Sequence, residues 1–367
     1  MSLDLTVDGE RWRAHLLATV RANPGIVPVV KGNGYGFTPG RLARRTQWLA
    51  EQAARAGADS GTTVAPLDLL AVGTYDELAE VSSRFAGDLL VMTPWRPFGS
   101  ALTLAPDIAA RIVHTVSRPE DLAGLRAHDP RAMFVLEQLT SMLRHGMGRR
   151  ALADAARTLA RDGRTGLRGV AMHLPLNVTS HLSEVTRLIN DIVASGLPTR
   201  TVFVSHLTRD ELGRLAASYP DFTIRPRIGT DLWLGDRGAL SVGATVLDVH
   251  PVERGDSFGY RGRSAPRNGH IVVVTGGTAH GIGLEAPSGD QSFRARASTL
   301  ARGGMDAVGF VRSPFSIDGK QRLFAEPPHM QASMLFVPSG ARVPAVGEAI
   351  EVRVRFTATD FDHVVVS

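Results

Sequence analysis

Lys31 is the residue with the clearest potential for chemistry. The chain holds 41 lysines and arginines together, yet Lys31 and Lys320 are its only lysines. An amine can lose its proton and attack a carbonyl to form a Schiff base, whereas a guanidinium stays protonated. A surface lysine without function is the alternative. The apolar run Ile26–Val30 before Lys31 and the glycine-rich turn Gly32–Gly36 after it favour a reactive amine at the end of a buried strand.

Eight short apolar runs predict the strands that position this lysine. They are Ile26–Val30, Leu67–Val72, Asp88–Met92, Ile112–Val116, Met133–Leu136, Leu167–Met172, Val202–Val204 and Phe222–Ile224. Helical patterns follow most of them, at Arg41–Ala56, Tyr75–Phe85, Pro119–Arg126, Arg149–Arg161, Ser180–Val193 and Arg209–Ser218. Thr38 and Pro39 predict a helix start, as N-cap and first helical residue. Eight strand–helix units predict a (β/α)8 barrel with its active site at the carboxyl ends of the strands.

Polar and charged residues collect at those carboxyl ends. The chain places Lys31, Thr93-Pro94, Arg144, His173, His206 and Arg227–Thr230 just past six of the runs. Gly229 and Thr230, before a short helical turn, suit a phosphate because backbone N–H groups are free at a helix start. A histidine taken alone is more often structural, so the shared location of these residues carries the prediction.

The pattern changes after Gly235. Runs rich in β-formers and separated by Gly, Pro and Asp follow, at Leu240–Val249, His270–Val274, Gln331–Val337 and Ala349–Phe356. They predict a separate, mostly-β domain over residues 236–367. We expect residues 1–12 to form a strand that could join this domain, and residues 13–235 to form the barrel. Glu285–Arg302 is interpreted as a loop insertion.

Composition excludes several classes of function. The chain has no cysteine, which rules out disulfides, thiolate catalysis and Cys-ligated zinc. Its formal charge of +5 is spread without a long block of one sign, so no nucleic-acid arm is predicted. No apolar run approaches the ~18 residues of a membrane span, and the start lacks a signal-peptide pattern. We therefore expect a cytoplasmic globular protein, without a metal site.

Val30-Lys31-Gly-Asn-Gly-Tyr35-Gly resembles the pyridoxal-phosphate lysine motif of alanine racemases, which usually reads Val-Lys-Ala-Asn-Ala-Tyr-Gly. Further segments resemble that family in the same order along the chain: Leu139–Arg144 (Asp-Thr-Gly-Met-x-Arg), Gly169–His173, Arg227–Thr230 (Arg-x-Gly-Ile), Gly255–Tyr260 (Gly-Glu-x-Val-Ser-Tyr), Gly277–Gly281 (Gly-Tyr-Ala-Asp-Gly) and Met330-Gln331 (Met-Asp). The resemblance implies an α/β fold, a TIM-like barrel followed by a β-domain, and a head-to-tail homodimer with shared active sites.

The resemblance also implies catalytic roles. Lys31 would hold pyridoxal 5′-phosphate covalently and act as one of two bases. Tyr260 of the partner subunit would be the opposing base in an amino-acid racemase. A tyrosine has an ordinary pKa near ~10, so nearby cations would have to assist it. The alternative for Tyr260 is a core residue of the β-domain.

Binding roles follow from the same resemblance. The residues implied at the cofactor are Lys31, Tyr35, His173, His206, Thr208, Arg227, Gly229 and Thr230. Tyr35 and the backbone amides of Gly229 and Thr230 would bind the phosphate. Arg227 would face the pyridine nitrogen, braced by His206, while His173 lies against the ring. Those implied at the amino-acid substrate are Arg144, Met330 and Gln331.

Departures from the family pattern lie mostly at the substrate end. Gln331 replaces an aspartate and Thr278 a tyrosine, which predicts a different or larger amino acid as substrate. The phosphate-binding Asn-Ser after the seventh strand is absent, and Thr208 is the nearest hydroxyl. Many members carry a carbamylated lysine where this chain has Glu137. We therefore predict a Glu137–Arg144 ion pair that needs no modification.

Two other functions remain open at this point. Decarboxylases of the same fold group usually carry a cysteine in the β-domain and a glutamate at the ring nitrogen, so the missing cysteine and Arg227 disfavour decarboxylation. A non-catalytic pyridoxal-phosphate-binding protein is the other alternative. Such proteins are usually the barrel alone, and the β-domain with Tyr260 argues against this function, although a diverged, inactive relative fits the altered substrate end.

Overall fold

The computed structural model describes residues 2–60, 65–162, 166–176, 179–284 and 311–367. Its strands are β1 (Leu3–Val7), β2 (Val27–Val30), β3 (Leu69–Val72), β4 (Asp88–Pro94), β5 (Ile112–Val116), β6 (Met133–Gln138), β7 (Leu167–Met172), β8 (Thr201–Val204), β9 (Thr223–Ile228), β10 (Leu240–Val252), β11 (Ser257–Phe258), β12 (Arg263–Ser264), β13 (Gly269–Thr275), β14 (Arg312–Ile317), β15 (Lys320–Phe324), β16 (Ala332–Pro338), β17 (Ala349–Val352) and β18 (His363–Val366). The predicted insertion Glu285–Arg302 lies outside the described residues.

The α-helices are α1 (Gly9–Ala22), α2 (Pro39–Ser60), α3 (Leu78–Val81), α4 (Pro106–Ala109), α5 (Pro119–His128), α6 (Arg149–Asp162), α7 (Leu182–Ser195), α8 (Arg209–Ser218) and α9 (Thr230–Leu234). Within the described ranges, none of these helices has the length and apolar character needed to cross a bilayer. The helix predicted at Tyr75–Phe85 is shorter in the structure. It consists of a 3₁₀ turn at Tyr75–Glu77 followed by α3.

Strands β2 to β9 form a closed barrel in which every neighbouring pair is parallel. The circle closes where Val27 of β2 pairs with Arg227 of β9. The predicted (β/α)8 barrel is therefore confirmed. Side chains such as Val29, Leu90 and Phe203 fill the interior. A second apolar layer packs between the strands and the surrounding helices.

The chain divides into two compact units. One contains residues 13–34 and 38–235, which include the barrel, and the other contains residues 2–12, 35–37 and 236–367. The second unit is built on an eight-stranded sheet, mostly antiparallel, in the order β13-β16-β15-β14-β17-β10-β1-β18. Strand β1 enters this sheet because it pairs antiparallel with β10 and parallel with β18. The predicted mostly-β domain is confirmed.

A buried histidine on the outer side of the barrel makes stability depend on pH. His114 of β5 is 5% exposed and shares a 2.8 Å hydrogen bond with the hydroxyl of Tyr75. Burial lowers the pKa of His114 to about 4. An unfolded histidine titrates near ~6.5. Between these two pH values the unfolded chain therefore binds a proton that the folded chain does not.

Stability is consequently expected to fall as the pH falls from about 6.5 towards 4, by up to about 3 kcal/mol from His114 alone. Urea unfolding at several pH values in this window measures the slope. In His114→Gln the free energy of unfolding should depend less steeply on pH, by the contribution of one proton, because the titrating imidazole is gone. The matched variant His363→Gln removes an exposed histidine and should keep the full slope. Equal slopes in wild type and His114→Gln would refute this origin.

Candidate active site

Side-chain alternation places one ring of residues at the carboxyl end of the barrel. Because residues two apart on a strand face the same side, the residue two positions after an interior side chain also points inward. Interior residues include Val29, Val135, Ala171 and Phe203. Continuing each strand by two residues gives the top layer: Lys31, Gly73, Thr115, Glu137, His173, Ser205 and Arg227. This layer brings together Lys31, His173 and Arg227 of the predicted site residues.

Lys31 follows β2 directly, and its side chain is exposed, so a ligand can reach it. Burial of part of the side chain and the charges of Arg144 and Arg227 lower the pKa of Lys31, against the opposing charge of Glu77. Glu77 itself accepts hydrogen bonds from the backbone N–H groups of Gly32, at 3.0 Å, and Gly73, at 2.7 Å. The carboxylate of Glu77 thus ties the turn after Lys31 to the end of β3. An amine of lowered pKa is the form that attacks a carbonyl most readily.

Arg227 is 6% exposed and lies at the top of β9. Its Nη2 donates to the carbonyl of Met172 at 3.0 Å, while its buried Nε has no hydrogen-bond partner among the described residues. Burial lowers the pKa of Arg227, and the charge of Glu137 counteracts this. An unpaired buried N–H of a guanidinium is costly unless a ligand accepts from it. The geometry therefore suits an acceptor atom, such as a ring nitrogen, beside Arg227.

Glu137 lies in the same layer and is 4% exposed. Burial raises its pKa, and the charges of Arg227 and then Arg144 lower it. Its Oε2 has no hydrogen-bond partner in the described residues. The predicted ion pair between Glu137 and Arg144 is not found within the described residues, and Arg144, exposed on the loop after β6, affects Glu137 through its charge. Arg227 has the larger influence on Glu137.

The two predicted histidines lie against each other. The rings of His173 and His206 meet edge-on, with centroids 5.1 Å apart. Burial, with the charges of Arg227 and Arg144, lowers the pKa of His173 to about 3, so its imidazole is neutral at pH 7. Ser205 Oγ shares a 3.0 Å hydrogen bond with His173 Nδ1. His206 is expected to support Arg227, but among the described contacts it makes no hydrogen bond to Arg227. The guanidinium is held instead by its hydrogen bond to the carbonyl of Met172.

Thr208 has a structural role that the sequence prediction missed. It is the N-cap of α8: its hydroxyl accepts from Glu211 N and donates to Glu211 Oε2, at 3.2 and 3.0 Å. Glu211 also accepts from the backbone N–H of Thr208, which completes a capping box. The proton of this hydroxyl is thus donated within the chain, and phosphate binding by Thr208 stays a prediction.

The remaining predicted phosphate residues occupy loop positions. Gly229 is the N-cap and Thr230 the first residue of α9, and Thr230 is exposed. The helix start predicted here is therefore present. Tyr35 is 3% exposed, with a left-handed φ of 55° in the loop between β2 and α2. Thr38 also has a left-handed φ, 71°, rather than the extended conformation of an ordinary N-cap, although α2 starts at Pro39 as predicted.

In the β-rich unit the predicted site residues are all at the surface. Tyr260 is 88% exposed and Met330 is 74% exposed, and Gln331 is exposed as well. The alternative that Tyr260 is a core residue is wrong. A large aromatic side chain so exposed in one chain suits a contact with another molecule.

Glu77 and Ser205 are the site residues that sequence reasoning missed. For Ser205 a signal was present, because it lies two positions after the interior residue Phe203, on the inward side of its strand. For Glu77 the contact with the turn after Lys31 spans 45 residues and has no local signal.

The sequence profile of "Alanine racemase, N-terminal domain" matches residues 10–204. The alanine racemase of Mycolicibacterium vanbaalenii is 28% identical over 296 residues, covering 73% of this chain and 70% of that protein. The structure of alanine racemase from Bartonella henselae with covalently bound pyridoxal phosphate aligns with a TM-score of 0.66 at 16% identity, over 96% of this chain and 91% of that chain. The structure of the Bacillus anthracis alanine racemase with bound L-Ala-P aligns with a TM-score of 0.64 at 17% identity, over 99% of this chain and 87% of that chain.

Proposed function

The chain belongs to the alanine racemase family, and from this premise we propose that it is a pyridoxal-phosphate-dependent racemase that interconverts L- and D-amino acids. The observation that carries the proposal is the top layer of the barrel. There an amine of lowered pKa, Lys31, lies in one ring of side chains with Arg227, a buried guanidinium whose Nε is unpaired within the part of the chain that the structure describes. Such a cofactor needs an amine at its aldehyde carbon, and a buried guanidinium can donate to its ring nitrogen.

The residues present fit the cofactor at several points. Lys31 would hold it covalently through Nζ, and Nε of Arg227 would donate to the ring nitrogen. His173, neutral at pH 7, offers an uncharged surface to the ring. Tyr35 and the backbone N–H groups of Gly229 and Thr230 would bind the phosphate, since the first turn of a helix attracts an anion.

Racemisation then depends on which groups accept and return the Cα proton of the amino acid. When bound, pyridoxal phosphate makes the Cα–H of an attached amino acid acidic by delocalising the negative charge left on Cα. Racemisation requires a base on each face of that carbon. Lys31 Nζ would accept or return the proton on one face, and the hydroxyl of Tyr260 of the partner subunit on the other. Arg227 keeps its own proton, because a guanidinium is a very weak acid. This favours simple proton exchange at Cα.

A homodimer is part of the proposal. The exposure of Tyr260 and Met330 supports it, because both side chains are free in one chain to reach a second copy. Arg144, exposed and close enough to influence Lys31, would attract the substrate carboxylate. Met330 and Gln331 would line the substrate on the other side. An amide at Gln331 binds a polar side chain without imposing a charge, which supports an amino acid other than alanine.

Covalent capture tests the proposal most directly. The protein is incubated with pyridoxal phosphate, reduced with borohydride and digested, and the modified peptide is identified by mass spectrometry. We expect the label on Lys31, because its lowered pKa makes it the more nucleophilic amine near neutral pH. Each L- and D-amino acid is then incubated in heavy water, and Cα deuteration and optical inversion are measured. Label on Lys320 alone, or release of carbon dioxide without inversion, would contradict the proposal.

A further inference from the structure

One buried carboxylate holds the loop that carries Tyr260. Glu326 is 2% exposed. Its Oε2 accepts from the backbone N–H of Tyr260 at 3.0 Å, and its Oε1 lies 2.6 Å from Nε2 of His329. Gly259, with a φ of 71°, lets the chain pass so close that an added Cβ would clash with this carboxylate. Glu326 thus links the main chain at Tyr260 to the ring of His329.

The imidazole of His329 completes the arrangement by supporting the phenol. The ring centroids of Tyr260 and His329 are 4.7 Å apart, with a tilt of 46° between the planes. Tyr260 is otherwise 88% exposed, so few contacts within the chain restrain its side chain. An aromatic contact at this distance is favourable and orients the ring. The carboxylate in turn fixes the plane of the imidazole through its short hydrogen bond.

We propose that Glu326 and His329 are positioning residues for Tyr260: Glu326 fixes its backbone and the His329 ring, and His329 fixes the direction of its hydroxyl. The inference rests on the proposed function, in which Tyr260 is a base. A base that serves one face of Cα must be placed accurately, because a displacement of about 1 Å costs on the order of 100-fold in rate. Because the Tyr260 side chain is so exposed, contacts within its own chain have to orient it before it reaches a second subunit.

Two substitutions separate the two contacts of His329. His329→Gln keeps a donor for Glu326 but removes the aromatic ring, whereas His329→Phe keeps a ring and removes the donor. We expect His329→Gln to lower kcat for Cα–H exchange from one enantiomer by about 10- to 100-fold, with KM and the other enantiomer little changed. His329→Phe should recover part of this loss. His250→Gln, which removes an exposed histidine paired with Asp248 at 3.3 Å, is the matched control and should behave as wild type.

A second readout needs neither cofactor nor substrate. The chain has four tyrosines, so NMR of protein with ring-labelled tyrosine gives few signals, and Tyr260→Phe identifies those of Tyr260. In His329→Gln these signals should move towards the shifts of free tyrosine, because the neighbouring ring current is lost, while the other three stay unchanged. Unmoved Tyr260 signals would overturn the inference even in a protein without racemase activity.

The kinetic outcomes separate this inference from the proposed function. If Tyr260→Phe loses exchange at one face while His329→Gln and His329→Phe both match wild type, the positioning roles are wrong and the base assignment survives. If Tyr260→Phe retains exchange at both faces, the base assignment fails and the positioning roles fail with it. Circular dichroism of each variant identifies loss of fold, and the Phe variant provides the test if the Gln variant does not fold.

Discussion

Lys31→Arg is expected to lower the rate of racemisation by about 10³-fold or more, because in the proposed mechanism Lys31 provides both the covalent attachment and one of the two bases. The positive charge remains, so the substitution separates nucleophilicity from charge. Absorbance of the bound cofactor, borohydride labelling and inversion of the substrate are measured together. We expect weak, non-covalent cofactor binding and no label at residue 31.

The other lysine of the chain provides the control. Lys320 is exposed at the start of β15, so Lys320→Arg changes the same chemical group far along the sequence. This variant should keep covalent labelling and full activity. Retention of activity in Lys31→Arg, or its loss in Lys320→Arg, would show that the reactive amine has been assigned wrongly.

Tyr260→Phe is expected to act on one enantiomer. Loss of a general base typically costs 10²- to 10⁴-fold, and the loss here applies only to the face that the phenol serves. Cα deuteration of the L- and D-forms is measured separately, before inversion. One form should still exchange through Lys31, while racemisation is lost because the second proton transfer fails.

Tyr219→Phe is the matched control for this experiment. Among the described residues the Tyr219 hydroxyl makes only long contacts, 3.4 Å to the carbonyl of Thr186 and to the amide oxygen of Asn190. Its removal should leave both enantiomers unaffected. An equal fall for both enantiomers in Tyr260→Phe would indicate damage to cofactor binding rather than the loss of one base.

The barrel could be predicted because short stretches of the sequence indicate each of its strands and helices. Each strand is a short apolar run followed by a helical pattern, and the right-handed crossover rule determines how they assemble. The end of each strand, and therefore the location of Lys31 and His173, follows from the same pattern. What the pattern does not contain is side-chain pairing across the barrel. The resemblance to the family pairs Glu137 with Arg144, whereas in the structure Glu137 is buried and the charge of Arg227 affects its pKa more than that of Arg144.

Two features that the sequence analysis missed had readable signals. Thr208 and Glu211 form the Thr-x-x-Glu pattern of a capping box, which commits the Thr208 hydroxyl to its helix. Asp318-Gly319 is the turn of the β14–β15 hairpin, with φ of 51° and 68°, and this dipeptide is a strong hairpin signal. The pairing of β1 with β10 is different, because it joins segments more than 230 residues apart and no local rule predicts the partner.

The loop between Lys31 and α2 constrains how this protein can be re-engineered. Five of its residues have left-handed φ: Gly32, Gly34, Tyr35, Gly36 and Thr38. A Cβ at Gly34 would lie 2.6 Å from the backbone nitrogen of Pro39. Random mutagenesis aimed at new substrates should therefore leave this segment untouched and diversify the exposed side chains instead. Variants selected that way would keep the backbone that positions Lys31.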